Sequence, residues 1–163
     1  MRYSILTLCF FALAFISEAQ QVLPGVVLKN NFGKWVRTDT IASKNDLLLV
    51  VVWRACCQDG FALLEEINDQ AVRWNTKVSV GYCAISVDDS RSSQRVVTET
   101  RTIGWDYPLL LDTNQEFKRQ LGINNMPFVM LVKKTGAIIW KKEGYTENLI
   151  EEIDAEINKL IMQ

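Results

Sequence analysis

Histidine is absent from the 163 residues of this chain. Its absence removes Ser-His-Asp and Cys-His nucleophiles, an imidazole general base, and His-ligated zinc, copper or haem. Whatever chemistry exists must run on thiols or carboxylates. Long Lys/Arg runs are missing as well: 18 basic residues stand against 19 acidic ones, for a net charge of -1. That balance leaves no electrostatic footprint for nucleic acid. The doublets Lys133-Lys134 and Lys141-Lys142 read as the solvated faces and ends of a hairpin. Internal repeats, linkers rich in Pro, Gly or Ser, and a second apolar segment of membrane length are also lacking. One ordinary domain plus an appendage is the economical reading, with no cofactor and no metal expected.

The appendage is N-terminal. Arg2 supplies a positive charge, and residues 5–16 are apolar apart from Thr7, a run too short to span a bilayer. Ser17 and Ala19 place small residues at the two positions a signal peptidase reads. The expectation is a signal peptide over residues 1–19 and a domain over residues 20–163, exported to a periplasmic or secreted location without stable membrane insertion after cleavage. The other reading is an uncleaved anchor. Cys9 lies inside the apolar run, so a lipoprotein anchor is not indicated. Removing the leader reduces the four cysteines to Cys56, Cys57 and Cys83. An odd count in an exported protein points to a free thiol, or to one shared with a partner.

Apolar patterning sets the element order. Residues 26–28 and 35–36, joined by Asn30-Asn31-Phe32-Gly33, predict a leading hairpin. Residues 47–53 form a continuous Val-rich run, as a strand covered on both faces requires. Leu64, Ile67, Ala71 and Trp74 recur at helical spacing and predict a helix over about residues 59–74. A strand at 78–87 follows, then a helix capped by Ser90 and running to about Thr102, and a short strand at 108–111. Asp112 is placed to cap a short helix ending at Gly122. Strands at 128–132 and 137–140 flank a Lys-Lys-Thr-Gly hairpin, and a last helix starts at a Thr146 cap and buries Leu149, Ile150, Ile153, Ile157 and Leu160. Alternating strands and helices closed by a hairpin describe an α/β sandwich with a mixed sheet.

Two segments narrow the choice of fold. A cysteine pair directly follows a buried strand at the start of a helix, and a Met-Pro precedes a later strand. Val52-Trp53-Arg54-Ala55-Cys56-Cys57-Gln58-Asp59-Gly60 resembles, without a gap, the F-W-A-x-W-C-x-x-C segment of the thioredoxin-like superfamily, in its exported TlpA-type and redoxin-like branch. Asn125-Met126-Pro127 and the strand after it resemble the cis-proline segment, and Thr135-Gly136 with residues 137–140 match the hairpin beyond. The stretch from Val87-Asp88-Asp89 to Leu111-Asp112 is similar to that branch's extra strand and helix. The resemblance covers about residues 22–160 and implies a three-layer sandwich, a mixed central sheet with helices on both faces. It further implies a thiol site at Cys57, and a cis bond at Met126-Pro127 whose open backbone pairs with an extended substrate segment. The partners it implies are protein or small-molecule thiols and disulfides.

Departures from the family pattern fall at that site. Cys57 holds the position of the attacking thiol, but Gly60 stands where the resolving cysteine belongs, and Cys56 replaces a tryptophan. A thiol at a helix N-terminus meets free N–H groups and the positive dipole end, so a lowered Cys57 pKa is expected, with Arg54 helping and Asp59 opposing. The alternative is a small buried hydrophobe left in a decayed motif. Cys56 either packs beneath the site, stays a reduced neighbour, or joins Cys57 in a strained vicinal disulfide across Cα atoms about 3.8 Å apart. Cys83, about 13 Å down the neighbouring strand, reads as a core thiol, and Trp53 as a platform or plain core residue. Asp106 and Glu65-Glu66 are read as solvated carboxylates without a role. Three functions stand open: an exported thiol-disulfide oxidoreductase acting through Cys57, with or without help from Cys56; a thiol peroxidase, although the Pro-x-x-x-Thr-x-x-Cys pocket of peroxiredoxins is absent; and a redox-silent binding module using the groove near Pro127.

Overall fold

The apolar run at 47–53 becomes the spine of the sheet. A computed structural model describes residues 20–76 and 78–162; the expected signal peptide lies outside the described residues. Its strands are β1 (Val27–Asn30), β2 (Trp35–Arg37), β3 (Leu47–Trp53), β4 (Val80–Ser86), β5 (Leu109–Leu111), β6 (Phe128–Lys133) and β7 (Ile138–Glu143). The α-helices are α1 (Gln58–Asn75), α2 (Ser93–Thr102), α3 (Glu116–Leu121) and α4 (Leu149–Ile161), with a 3-10 helix over Thr38–Lys44. The strands form one seven-stranded sheet in the order β2-β1-β5-β4-β3-β6-β7. β3 runs parallel to β4 and antiparallel to β6, while β4 runs parallel to β5.

Every residue of β3 is buried because both faces of the sheet are covered. Leu47, Leu49, Val51 and Trp53 point into one core layer with α1, α2 and α4, where Leu63, Leu64, Ile67, Ala71, Trp74, Ile153 and Ile157 meet them. Leu48, Val50 and Val52 point the other way, to Ala42 of the 3-10 helix, Phe117 of α3 and Leu23, Val26 and Leu28 of the N-terminal segment. This is the three-layer α/β sandwich with a mixed sheet that the resemblance implies. Period-two alternation on a strand buried on both sides explains why the run carries no polar residue.

Two helix starts differ from expectation. Ser90 caps nothing: the Asp89 carboxylate accepts the N–H groups of Arg91 and Ser92 at 3.1 and 3.0 Å, and α2 begins only at Ser93. The Asp89 carboxylate thus closes the turn before the helix, and Ser92 precedes α2 without a side-chain cap. Thr146 provides its backbone carbonyl, not its hydroxyl, to Leu149 N–H at 3.0 Å, and Asn148 precedes α4. Asp112 behaves as expected in kind: its buried carboxylate accepts N–H groups of Glu116, Phe117 and Lys118, and Gly122 closes α3 at φ 66°.

Candidate thiol site

Trp53 ends β3, and the chain turns at once, with Cys57 N–H donating to the Arg54 carbonyl at 3.1 Å. Cys57 is the last extended residue before α1, at φ -111° and ψ 118°, and its carbonyl accepts Gly60 N–H at 3.2 Å. The turn leaves Cys56 exposed and Cys57 half-buried, both as free thiols. Their sulfurs lie 3.6 Å apart, in hydrogen-bonding contact. A buried carboxylate fixes this loop from the neighbouring strand end: Asp88 Oδ2 accepts Ala55 N–H at 2.9 Å and the Ser86 hydroxyl at 2.8 Å.

Register brings the Met-Pro segment to the same end of the sheet. Val52 pairs with Phe128, so Trp53 and Pro127 are the next residues outward on adjacent strands. The Met126-Pro127 bond is cis. Glu143 Oε2 accepts both the backbone N–H and the Nδ2 of Asn125, at 3.1 and 3.2 Å, and Gly144 N–H donates to the Pro127 carbonyl at 2.8 Å. Strand β7 therefore holds the cis loop from behind.

Gly60 is buried in the first turn of α1 above Trp53. A Cβ at that position would stand 3.4 Å from Trp53 Cβ and Cε3 and 3.6 Å from the Arg54 carbonyl, which is ordinary contact distance. The glycine is thus not forced by crowding. Trp53 is fully buried and meets Phe61 edge-on at 4.9 Å between ring centroids, so its indole forms the floor under this turn.

The thiol electrostatics run against the expectation of a lowered pKa. Cys57 is pushed above the ordinary value of 9.0, first by its hydrogen bond with Cys56, then by burial, with further upward pressure from charge on Cys56 and Asp59 and only Arg54 pulling down. The Cys57 side chain makes no hydrogen bond to the free N–H groups of α1, so the helix end gives it no direct donor. Cys83 is buried, and burial pushes its thiol up to about 12, which fits a core residue and excludes it as a nucleophile at neutral pH.

Several contributors escape sequence reasoning because their partners are distant in the chain. Asp88 and Glu143 are two, and for Asp88 the sequence signal is an acidic residue soon after a buried strand. A third is Glu66, read as solvated, which accepts the Tyr145 hydroxyl at 2.7 Å and ties α1 to the loop after β7. Arg95 of α2 differs, since its guanidinium pairs with Glu99 one helical turn on at 2.6 Å, and after Glu99 the charges of Asp88 and Cys56 also hold its pKa up.

Comparison with known proteins agrees with this architecture. The solution structure of an uncharacterized thioredoxin-like protein from Porphyromonas gingivalis shares 29% identity and a TM-score of 0.78, over 86% of this chain and 92% of that one. The thioredoxin domain of a thiol-disulfide oxidoreductase from Bacteroides vulgatus shares the fold at 16% identity and a TM-score of 0.69, over 85% and 97% of the two chains. At 12% identity and a TM-score of 0.72, over 88% and 98%, so does the bacterioferritin comigratory protein of Xanthomonas campestris, studied for its alkyl peroxide reduction activity. No curated protein matches the sequence. Residues 19–144 match the AhpC/TSA family, spanning the whole run from the leading hairpin through the cysteine turn to the cis-proline strands, and the chain belongs to that family.

Proposed function

We propose that the chain is an exported thiol-disulfide oxidoreductase in which Cys57 attacks and Cys56 replaces the resolving cysteine that Gly60 cannot supply. The observation that carries this reading is the 3.6 Å separation of the two sulfurs at the start of α1, at the same sheet end as the cis-proline loop. The Cys57 thiolate attacks one sulfur of a substrate disulfide; that S–S bond breaks, a mixed disulfide forms, and the leaving thiolate takes a proton. Cys56 then attacks the Cys57 sulfur and releases the second substrate thiol. The resulting vicinal disulfide spans Cα atoms about 3.8 Å apart, below the usual range, so an external thiol reduces it readily and supplies the two electrons of the cycle. Met126 and Pro127 offer backbone to an extended substrate segment.

With its pKa raised, Cys57 holds little thiolate at neutral pH, and exchange is expected to accelerate as pH rises. Reduction of insulin disulfides by dithiothreitol tests the reading. Wild type is expected to accelerate it, Cys57→Ser to abolish the acceleration, and Cys56→Ser to slow it. Indistinguishable rates for wild type and Cys57→Ser reject the oxidoreductase and leave the second reading, a redox-silent binding module, which Gly60 favours by removing the usual partner thiol. Export is supported by the leader pattern of residues 1–19; among the described residues no helix is long and apolar enough to cross a membrane. N-terminal sequencing of protein from its native compartment is expected to begin at Gln20.

A further inference from the structure

We propose that Cys56 and Cys57 form a bidentate chelating site for trivalent thiophilic metalloids, the class represented by organoarsenicals. The argument starts from three features of the pair. Both thiols are free, Cys56 is exposed to an incoming ligand, and the sulfurs already stand 3.6 Å apart. With metal–sulfur bonds of about 2.3 Å, that separation corresponds to an S–M–S angle of about 100°. Pyramidal and tetrahedral centres have such angles. A digonal ion with the same bond length needs the sulfurs about 4.6 Å apart, so the pair does not suit one.

The surroundings restrict the ligand further. Among the described residues no group of three His, Cys, Asp or Glu side chains could hold a metal ion. A tetrahedral divalent ion would therefore find two protein ligands of the four it seeks. A trivalent metalloid completes its own coordination with an organic or hydroxo group and a lone pair, and needs only the two sulfurs. Its chemistry also suits neutral thiols. In the condensation R–As(OH)2 + 2 R′SH → R–As(SR′)2 + 2 H2O, two As–O and two S–H bonds break, two As–S bonds form, and each thiol proton leaves in water. Arsenic stays trivalent and no electron moves. A thiol that keeps its proton, as the sulfur contact and burial make Cys57 do, is no obstacle to this reaction. The site uses the same two side chains as the proposed exchange but needs neither a thiolate nor turnover, so each stands or falls by its own assay.

Phenylarsine oxide is the probe. The full-length protein, reduced, is expected to retain one molecule of it in the presence of excess 2-mercaptoethanol, read by intact mass, and to release it to 2,3-dimercaptopropanol. Cys56→Ser and Cys57→Ser are each expected to lose affinity by about 100-fold or more, the loss of the second, intramolecular ligand. Cys83→Ser is expected to bind as wild type does. Circular dichroism melting of each variant confirms that it is folded. Absence of capture by wild type, retention by a folded Cys56→Ser or Cys57→Ser protein, or loss of capture in folded Cys83→Ser overturns the proposal. Insulin reduction measured on the same samples reports separately on disulfide exchange.

Discussion

The carboxylate of Asp88, at the end of β4, accepts the backbone N–H of Ala55 at 2.9 Å and so anchors the turn that carries both surface cysteines. Only 9% of Asp88 is exposed, and the same oxygen also binds the Ser86 hydroxyl. Replacing it leaves a buried donor unsatisfied. Asp88→Ala is expected to cost about 1–3 kcal/mol in urea unfolding and to change the relative alkylation rates of Cys56 and Cys57. Unchanged stability together with unchanged thiol reactivity would contradict an anchoring role.

Gly60 stands one turn into α1 with room for a side chain above Trp53. Gly60→Cys is therefore expected to fold, with stability held or raised by up to about 1 kcal/mol. Oxidised, this variant is expected to show a disulfide between Cys57 and the introduced thiol by peptide mapping. Insulin reduction should rise by about tenfold, because a resolving thiol one helical turn on closes a less strained disulfide than the vicinal one that Cys56 forms.

Alkylation of Cys57 by iodoacetamide is expected to keep increasing beyond pH 9.0, because its folded pKa lies above that value. Cys56→Ala removes the largest upward influence, the hydrogen bond between the sulfurs, so the midpoint moves down. A Cys57 midpoint near neutrality in wild type, or one unmoved by Cys56→Ala, contradicts the role given to that contact.

Alkaline stability follows from Cys83. Its pKa rises from 9.0 to about 12 on burial, so the unfolded chain loses this proton first and folding becomes less favourable as pH rises. The contribution is fully present below pH 9.0 and disappears between there and about 12, amounting to about 4 kcal/mol at most. Urea midpoints measured from pH 8 to 11 are expected to fall less steeply in Cys83→Ala than in wild type.

The legible parts of the sequence were those governed by local or periodic physics. Seven consecutive apolar residues made β3, and helical spacing of Leu64, Ile67, Ala71 and Trp74 located α1 to within a residue of its ends. The strand expected over 78–87 is shorter, Val80–Ser86, because β3 offers paired residues only from Leu47 to Trp53. Cys56, Cys57, Met126 and Pro127 were found as candidates because a cysteine turn after a buried strand and a Met-Pro before another form a recognisable pair of segments. Their supports were hidden. Asp88 reaches Ala55, Glu143 reaches Asn125 and Glu66 reaches Tyr145 only after the strands are registered, and no local pattern announces a partner 18 to 79 residues away. The sign of the Cys57 pKa is hidden for the same reason: it depends on which donors and sulfurs the turn brings near, not on the helix end alone.

Cys83 occupies β4, between β3 and β5, beneath a fully covered sheet face. A thiol reagent reaches it only when the layer that covers this face, with Leu28, Ala42 and Phe117, moves away. Its labelling, timed after the surface pair has been blocked, is consequently a clock for the lifting of that layer from the sheet, and gives the protein a native reporter of its own opening without any added probe.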